Sequence, residues 1–257
     1  MEKNMKIYGV FLLIFFFSSC QAQQENLTKP IEPLNVIYPD GIFRGEYDVY
    51  DNFGWKPFIE IQIRGGVIVS ATWDEVNAAG EFKSQNQWYT DTMKKNVGLS
   101  PVEAANELID RMVARNGADI DAVVGATISS KRFKELAQAV LNNILQGIKQ
   151  KTVISMNDTY KVESDVNSRG LYNRLEVTYE NGKIKYVRFD LLDLEGKSFR
   201  EGNSDESKKW NAIAVNLERQ LIEKQDYKLL TPPPDGENQL ELMKGLMRRI
   251  MQKRENR

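Results

Sequence analysis

The sequence has no histidine and only one cysteine among its 257 residues. Without histidine the chain cannot build a Ser-His-Asp triad, a His-ligated haem or the zinc-binding helix of a metalloprotease. With one cysteine it cannot form an internal disulfide, a thiolate metal cluster or a dithiol redox motif. These classes of catalytic site and metal site are therefore excluded.

An excess of charge of either sign is also missing. The chain has 35 Lys and Arg residues against 36 Asp and Glu residues, which gives a net charge of −1. Since nucleic-acid-binding domains are typically strongly basic, we expect no nucleic-acid partner. Hydrophobic residues make up 41% of the sequence and charged residues 28%. This composition is typical of a globular protein that buries a core of its own.

A hydrophobic run long enough to span a bilayer is absent as well. The most apolar stretch, residues 7–17, has 11 residues, whereas a membrane-spanning helix needs about 20. Two lysines precede this stretch and Phe17-Ser18-Ser19-Cys20 ends it, which is the order of an export signal. The end of the run resembles the lipobox of bacterial lipoproteins, in which the cysteine is lipidated and becomes the first residue of the mature chain.

We therefore expect residues 1–19 to be a signal peptide, Cys20 to carry the lipid and residues 20–37 to form a polar tether. The lipid would hold the protein on a membrane of the bacterial cell envelope, on the side away from the cytoplasm. Several acyl chains anchor a protein stably where a single chain is marginal. The alternative is a plain secreted protein whose cysteine falls at the cleavage site by chance.

The sequence contains an internal repeat. When it is shifted by 116 positions, identical residues coincide without a gap at these pairs: Gly54 and Gly170, Glu60 and Glu176, Gly66 and Gly182, Ile68 and Ile184, Asp74 and Asp190, and Gly80 and Gly196. In each copy, alternating apolar residues lead into a two-residue turn, which predicts a β-hairpin, and apolar residues at helical spacing follow. We thus predict an α+β fold of two tandem copies of a small module, an antiparallel sheet with helices, at residues 38–149 and 157–252.

The segment before the last helix of the first copy, residues 121–130, reads DAVVGATISS. Gly125 and Ala126 allow a ligand to approach the backbone closely, and Thr127 offers a hydroxyl group. Small residues precede many helices, so the tripeptide alone does not identify a ligand.

The expected helix start favours an anion at this segment. We expect the helix to begin after Thr127, with Ser129 or Ser130 as its cap. Free N–H groups and the positive end of the helix dipole would then face a phosphate. Lys131 and Arg132 are expected to add positive charge next to it.

The spacing of Asp121 and Gly125-Ala126-Thr127 resembles the Asp-x-x-x-Gly-Ala-Thr site of the FMN-binding domain family. In that family a dedicated flavin transferase joins FMN through its phosphate to the threonine hydroxyl. The resemblance spans residues 38–148 and is closest to the flavin lipoproteins of extracellular electron transfer. Upstream of the motif it is carried by Gly54, Trp55, Gly65, Gly66, Trp73, Asp74, Glu75, Val76, Asn77, Gly80, Lys83, Tyr89 and Met93.

The resemblance implies one FMN per chain, held as a phosphoester on Thr127. Asp121, Gly125, Ala126 and Ser129 are then expected to surround the phosphate or to serve recognition by the transferase. The sequence departs from the pattern next to Gly125, where it has valine and the family often has serine or threonine.

The flavin ring needs an apolar slot with a few polar contacts. We expect Asp74 and Asn77 to offer hydrogen bonds to the ring or the ribityl chain, and Lys83 to offer positive charge to a reduced, anionic flavin. Aromatic side chains are expected to wall the ring: Trp73, Trp88 and Tyr89. The alternatives are core positions for the aromatic residues and a solvated surface charge for Lys83.

The second copy lacks the motif. Thr231 lies before its last helix and three prolines follow it. Proline holds the backbone extended and lacks an N–H group that a phosphate needs. We therefore expect no covalent flavin there, and the second copy is a degenerate packing partner, a docking surface or a binder of loose flavin.

These observations predict a membrane-anchored flavoprotein that carries electrons outside the cytoplasmic membrane and is not an enzyme by itself. The expected partners are the flavin transferase and, as electron donor, a membrane quinol or quinone oxidoreductase. The alternative is a non-redox lipoprotein, a scaffold or interaction module that keeps the fold without flavin. A flavin reductase has less support, since no second cofactor motif is present.

Overall fold

Residues 32–255 are described by the structure, which is a computed structural model. The expected signal peptide, the lipidated Cys20 and most of the expected tether lie outside the described residues. Within the described part there are five α-helices and two β-sheets. The α+β class is therefore confirmed.

The first sheet is built from strands with the bounds β1 Gly41–Tyr47, β2 Lys56–Arg64, β3 Val67–Val76 and β4 Thr152–Ile154. Its order is β3-β2-β1-β4, with β1, β2 and β3 antiparallel and β4 parallel to β1. Ile59, Ile61 and Ile63 of β2 are buried, whereas Glu60 and Arg64 are exposed. This alternation is typical of a sheet that packs one face on a core.

Three helices belong to the first sheet: α1 Gln87–Val97, α2 Pro101–Arg115 and α3 Thr127–Leu145. α2 begins with the capping box that the sequence predicts. The Ser100 hydroxyl accepts from the Glu103 N–H at 3.2 Å, and the Glu103 carboxylate accepts from the Ser100 N–H at 2.7 Å. Buried side chains of α2 and α3, among them Leu108 and Phe133, form one hydrophobic core with the isoleucines of β2. We call residues 41–154 the first half.

The second sheet consists of β5 Asp158–Glu163, β6 Leu171–Glu180 and β7 Lys183–Asp193, which are antiparallel in that order. Two helices pack on it: α4 Asp205–Lys224 and α5 Glu237–Glu255. They enclose a second hydrophobic core, which includes Leu175, Phe189, Leu217 and Met243. We call residues 158–255 the second half.

Details of the two sheets recur at the 116-residue shift. The register of β2 with β3 changes between Gln62 and Ile63, and that of β6 with β7 changes between Thr178 and Tyr179. Short 3-10 helices follow the hairpins at Lys83–Gln85 and Phe199–Glu201. The turns before β2 and β6 are closed by the side chains of Asp51 and Asn167, each accepting two backbone N–H bonds.

The halves differ in the connection that follows the 3-10 helix. In the first half residues 86–100 separate it from α2 and contain α1, whereas in the second half residues 202–204 lead directly into α4. The second half is shorter in this connection but has a longer α4, and the shift that matches the last helices is 110. This shift aligns Phe133 with Met243, Leu136 with Leu246 and further buried positions. Among the described residues, α1 has no counterpart in the second half.

The segment expected to join the two copies, residues 150–157, contains β4, which pairs with β1, and Met156, whose N–H is bonded to the first half. The second half also contacts the first directly. The Tyr160 hydroxyl donates to the Tyr50 carbonyl, and the Tyr50 N–H donates to the Arg254 carbonyl at 2.9 Å. The halves therefore share an interface, and the joint is not a free linker. Whether they are separate domains stays a prediction.

Over residues 32–255, no helix combines the length and the apolar character needed to cross a membrane.

Candidate functional site

The Gly-Ala-Thr segment forms a tight turn that ends on the first residue of α3. The Ala126 N–H donates to the Val123 carbonyl at 3.0 Å, and Gly125 has a φ of +83°. The buried Ser130 hydroxyl accepts from the Val123 N–H at 3.0 Å and donates to the Ala126 carbonyl at 2.8 Å. The turn is thus held by a side chain from the helix it precedes.

α3 begins one turn earlier than the sequence predicts. Thr127 is its first residue, and the cap is Ala126, which makes no side-chain cap bond. The expected cap at Ser129 or Ser130 is wrong, because the Ser130 hydroxyl already serves the turn. The first N–H groups of an α-helix have no partner within the helix. At α3 they belong to Thr127, Ile128 and Ser129, so the anion-binding end of the helix lies at Thr127 itself.

Gly125 meets two constraints at once. Its φ lies in the left-handed region that side chains disfavour. A Cβ atom added to it would lie 3.0 Å from the Cβ of Val97 in α1. Glycine therefore lets the turn pass close under α1.

A cleft of about 420 Å³ lies between α1 and the start of α3. It is lined by Trp88, Tyr89, Thr92, Met93, Asn96, Val97, Gly125, Ala126, Thr127, Ile128 and Ser129. Its volume falls within the roughly 300–1,000 Å³ of small-molecule sites. Thr127 is exposed at its edge. The structure thus brings Gly125, Ala126, Thr127, Ser129 and Tyr89 of the predicted site together.

α1 lies loosely on the rest of the fold. None of its residues is buried, and the Trp88 side chain is 74% exposed. Tyr89 and Met93 are half-buried and face the cleft. The helix ends at Gly98 in the left-handed conformation, with the Gly98 N–H bonded to the Lys94 carbonyl. One wall of the cleft is therefore a surface helix that carries the exposed Trp88 and the half-buried Tyr89.

A small gap of about 20 Å³ adjoins the cleft on its inner side. Tyr89, Met93 and Ser129 line both spaces, so they form the partition between them. The gap is also lined by Trp73, whose ring contacts Phe133 edge-on with centroids 5.3 Å apart. Trp73 is thus a core residue behind the cleft, whereas Trp88 and Tyr89 lie at the cleft itself.

Lys83 also lines the gap and is 7% exposed, so it is not a solvated surface charge. Its Nζ lies 3.0 Å from Glu75 Oε2 and 4.4 Å from the centroid of the Tyr89 ring. Burial lowers the pKa of Lys83, but the attraction of Glu75 and the contact with Tyr89 outweigh it and leave the pKa raised. The side chain is therefore a fixed cation.

The expectation that Arg132 adds charge to the phosphate is wrong, and the same expectation for Lys131 stays a prediction. Arg132 is 8% exposed and turns inward, with Nη1 2.7 Å from Asp51 Oδ2. Lys131 is exposed and lies 3.9 Å from Glu135 along the helix surface. Arg132 is buried because the second half covers it, and only Lys131 remains in solvent near the helix start.

Three predicted residues have internal roles. The Asp74 carboxylate accepts from the N–H groups of Glu75 and Ser84, at 2.7 and 3.2 Å, and so fixes the 3-10 helix. Asn77 closes the next turn through both backbone and side-chain bonds to Glu81 and does not line the cleft. Asp121 is exposed, and its carbonyl accepts from Arg111. A contact of any of them with flavin stays a prediction.

The second half repeats the turn before α5 with other residues. The Gly236 N–H donates to the Pro233 carbonyl at 2.9 Å, Asp235 takes the positive φ of +57°, and Glu237 is the first helical residue. The structural counterpart of Thr127 is therefore Glu237. Thr231 instead is bonded to Gln220 of α4, and the proline stretch does not prevent the turn.

Sequence reasoning missed Asp51, Thr92 and Val97 in the site region. It named Glu75 and Arg132 but not their pairing, in which they form a buried charged group with Asp51 under the cleft. Val97 and Thr92 complete the wall that α1 gives the cleft. The buried charged group could have been suspected from charged residues next to buried apolar positions, such as Arg132 next to Phe133.

No family model matches the chain. A similar protein is the 15 kDa lipoprotein of Treponema pallidum (strain Nichols), 35% identical over 113 residues, which are 44% of this chain and 80% of the relative. Two solved structures are also similar. A Clostridium perfringens protein has a TM-score of 0.45 at 30% identity, over 47% of this chain and 99% of its own. A Clostridium thermocellum protein has a TM-score of 0.30 at 29% identity, over 40% and 90%.

The match to the Treponema protein combines more than 30% identity with coverage of four fifths of that relative. The chain therefore belongs to the family of the 15 kDa lipoprotein of Treponema pallidum.

Proposed function

We propose that the chain is a membrane-anchored lipoprotein of the bacterial cell envelope whose first half carries one FMN as a phosphoester on Thr127 and which transfers electrons. The observation that carries the proposal is the position of Thr127. Its hydroxyl lies on the first residue of α3, at the edge of a cleft whose other wall is α1.

The cleft meets the needs of FMN at both ends of the molecule. The N–H groups of Thr127, Ile128 and Ser129 and the positive end of α3 suit a phosphate. Trp88 and Tyr89 offer aromatic surface to a ring system. Gly125 keeps this space open, because a side chain there would collide with α1.

FMN, when bound, supplies one- and two-electron redox chemistry, and the fold sets its exposure and its potential. The residues of the chain bind, orient and shield it. No side chain has to exchange a proton with a substrate, which agrees with the absence of histidine from the sequence.

The membrane anchor is supported by the relative, whose name calls it a lipoprotein, and by the sequence that ends in Cys20. In this proposal Cys20 carries the lipid, a flavin transferase loads Thr127, and a membrane quinol or quinone oxidoreductase donates electrons. The second half is a degenerate copy of the FMN-binding module, as the recurring turns and register changes at the 116-residue shift support.

Intact-mass measurement of protein co-expressed with an active flavin transferase tests the site. Wild type should gain the mass of one FMN less one water. The bond from Thr127 Oγ1 to phosphorus forms as the transferase breaks the phosphorus–oxygen bond between FMN and the leaving group of an activated FMN donor, and the leaving group takes up the threonine proton. Thr127→Ala removes the only oxygen that forms this ester, so the added mass and the flavin fluorescence of the denatured band should vanish completely.

The cleft offers a matched control with a hydroxyl group, Thr92→Ala, which should keep the added mass. Circular dichroism should show both variants folded, because Thr127 and Thr92 lie outside the core. A full FMN complement on Thr127→Ala would overturn the site. No flavin on wild type would instead favour the scaffold without redox activity.

A further inference from the structure

Four charged side chains are buried together beneath the cleft: Asp51, Glu75, Lys83 and Arg132, which we call the ion cluster. Glu75 Oε2 lies 3.0 Å from Lys83 Nζ and 3.6 Å from Arg132 Nη1. Arg132 Nη1 also lies 2.7 Å from Asp51 Oδ2. The second half adds Asp158, whose Oδ2 lies 3.4 Å from Arg132 Nη2. Acids and bases thus alternate from the cleft to the interface of the halves.

The second half builds the same backbone without this cluster. At the shifts of 116 for the strands and 110 for the last helices, the corresponding positions hold uncharged residues: Asn167, Leu191, Phe199 and Leu242. Burying a charge costs several kcal/mol before pairing, and replacing a buried ion pair by apolar side chains is often neutral or stabilising. The fold itself therefore does not require the ion cluster.

Within the cluster, Lys83 is the member nearest to the cleft. It lies over the ring of Tyr89, and Tyr89 is part of the partition between the inner gap and the cleft. No member of the cluster lines the cleft itself, and Lys83 and its partner Glu75 both lie in the inner gap. Lys83 is the member that contacts the cleft wall, because its ammonium group lies over the ring of Tyr89.

Both bases of the cluster carry their charge at neutral pH. Burial lowers the pKa of Arg132, but Asp51 and Glu75 outweigh it and leave the pKa raised. The pKa of Lys83 is raised in the same way, by Glu75 and Tyr89 against burial. The positive charge of Lys83 behind the cleft wall is therefore permanent at neutral pH.

We propose that the ion cluster holds the ammonium group of Lys83 behind the cleft wall as a fixed positive charge that raises the reduction potential of the flavin. This inference rests on the proposed function. Glu75 and Arg132 are positioning residues, because they act by holding Lys83. Reduction adds negative charge to the cleft, and a fixed cation stabilises that charge more strongly in a partly water-excluded site than in water.

Reductive titration of the Thr127-bound FMN with dithionite measures the effect. Lys83→Met keeps the length of the side chain and removes its charge. We expect a lower midpoint potential, with the ratio of reduced to oxidised flavin at a fixed potential falling by about tenfold. Lys83→Arg keeps the positive charge and should keep the midpoint potential close to that of wild type, which a purely structural role of Lys83 would not predict. Lys131→Met, which removes an exposed charge near the helix start, should have a smaller effect.

The flavin-free protein gives an independent measurement. A fourfold variant gives the four cluster positions of the first half the residues found at the corresponding positions of the second half: Asp51→Asn, Glu75→Leu, Lys83→Phe and Arg132→Leu. Since the fold does not require the ion cluster, its thermal unfolding temperature should equal or exceed that of wild type. A clearly lower temperature would assign the cluster to stability and overturn the proposal.

The outcomes separate the inference from the proposed function. An unchanged potential in loaded Lys83→Met overturns the inference and leaves the proposed function standing. Absence of FMN from wild type co-expressed with the transferase overturns both. A lowered potential that Lys83→Arg restores, with a stable fourfold variant, supports the inference.

Discussion

The two halves begin their last helices with the same backbone and different side chains. A turn with one left-handed residue, Gly125 or Asp235, precedes the first helical residue, Thr127 or Glu237. Glu237 places a carboxylate at the positive end of α5, where the helix dipole favours it. α3 has no acidic residue in its first turn. The second half thus has a carboxylate of its own at this helix start, and the first half has none.

The halves also differ in the structure that surrounds this turn. The first half contains α1, and with it the cleft, whereas residues 202–204 of the second half leave no room for such a helix. The first half buries Lys83 and Glu75 where the second has Phe199 and Leu191. The motif, the cleft and the ion cluster therefore occur together in the first half, whereas the charged side chains buried in the second half, Asp190 and Arg254, stand at other positions of the module. This co-occurrence is expected when the three features serve one ligand.

Removal of a core side chain tests whether the halves are separate bodies. Leu108→Ala in the first core and Leu217→Ala in the second should each cost about 2–5 kcal/mol, since both leucines are fully buried. Because Tyr160, Tyr50 and Arg254 bond the halves together, we expect one unfolding transition that both variants shift alike. Differential scanning calorimetry measures it.

Leu194→Ala is the control, since this leucine is 72% exposed and should shift the transition little. Two transitions, each shifted by only one of the core variants, would show that the halves unfold independently. The comparison would then be between two domains, and the interface would contribute little to stability.

Substitution of the left-handed residue in each turn, Gly125 or Asp235, is expected to have a smaller effect on stability than loss of a core side chain. Gly125→Ala should destabilise the protein by roughly 1–2 kcal/mol through its positive φ, and it should lower flavin loading, because its Cβ would lie 3.0 Å from the Cβ of Val97. Asp235→Gly, which relaxes the same conformation in the second half, should change stability by less than about 1 kcal/mol. Urea unfolding and intact mass measure the two effects. Equal flavin loading of Gly125→Ala and wild type would show that the close approach of this turn to α1 is not needed for flavin binding.

Local signals in the sequence were enough for much of the fold. Turn glycines and alternating apolar residues predict the hairpins, and Ser100 and Glu103 predict the start of α2, because each depends on residues close in sequence. The repeat at 116 positions came from the same turn residues, which the backbone requires in both halves. Cys20 lies outside the described residues, so its lipidation stays a prediction.

Sequence reasoning missed one local feature and several contacts between distant residues. The local feature is Ser130, which was expected as a possible cap of α3, but its hydroxyl is bonded to Val123 and Ala126, and the helix begins at Thr127. Arg132 was expected beside the phosphate, but it is buried and paired with Asp51 and with Asp158 of the second half. Pairing across such sequence distances leaves no periodic pattern, so only the motif and part of the cleft were predictable.

The starts of α2 and α4 give the smallest predicted difference between the halves. Both have a serine cap, Ser100 and Ser204, but the third helical residue is Glu103 in α2 and Ser207 in α4. The backbone N–H and the hydroxyl of Ser100, together with Lys94, lower the pKa of Glu103 to about 2. An unfolded glutamate has a pKa of about 4.3. The ionised Glu103 side chain therefore stabilises the folded state above about pH 4.3. This contribution to stability is lost as the pH falls towards 2.

Glu103→Gln should accordingly lower the thermal unfolding temperature slightly at pH 7, and its difference from wild type should shrink between about pH 4.3 and pH 2. Ser207→Ala changes the same helical position of α4 without removing a titrating group, so its difference from wild type should stay constant over this range. Circular dichroism melts at several pH values measure both. A difference for Glu103→Gln that does not depend on pH would mean that the Glu103 side chain stabilises α2 by packing and not by its charge, and the two helix starts would then be equivalent.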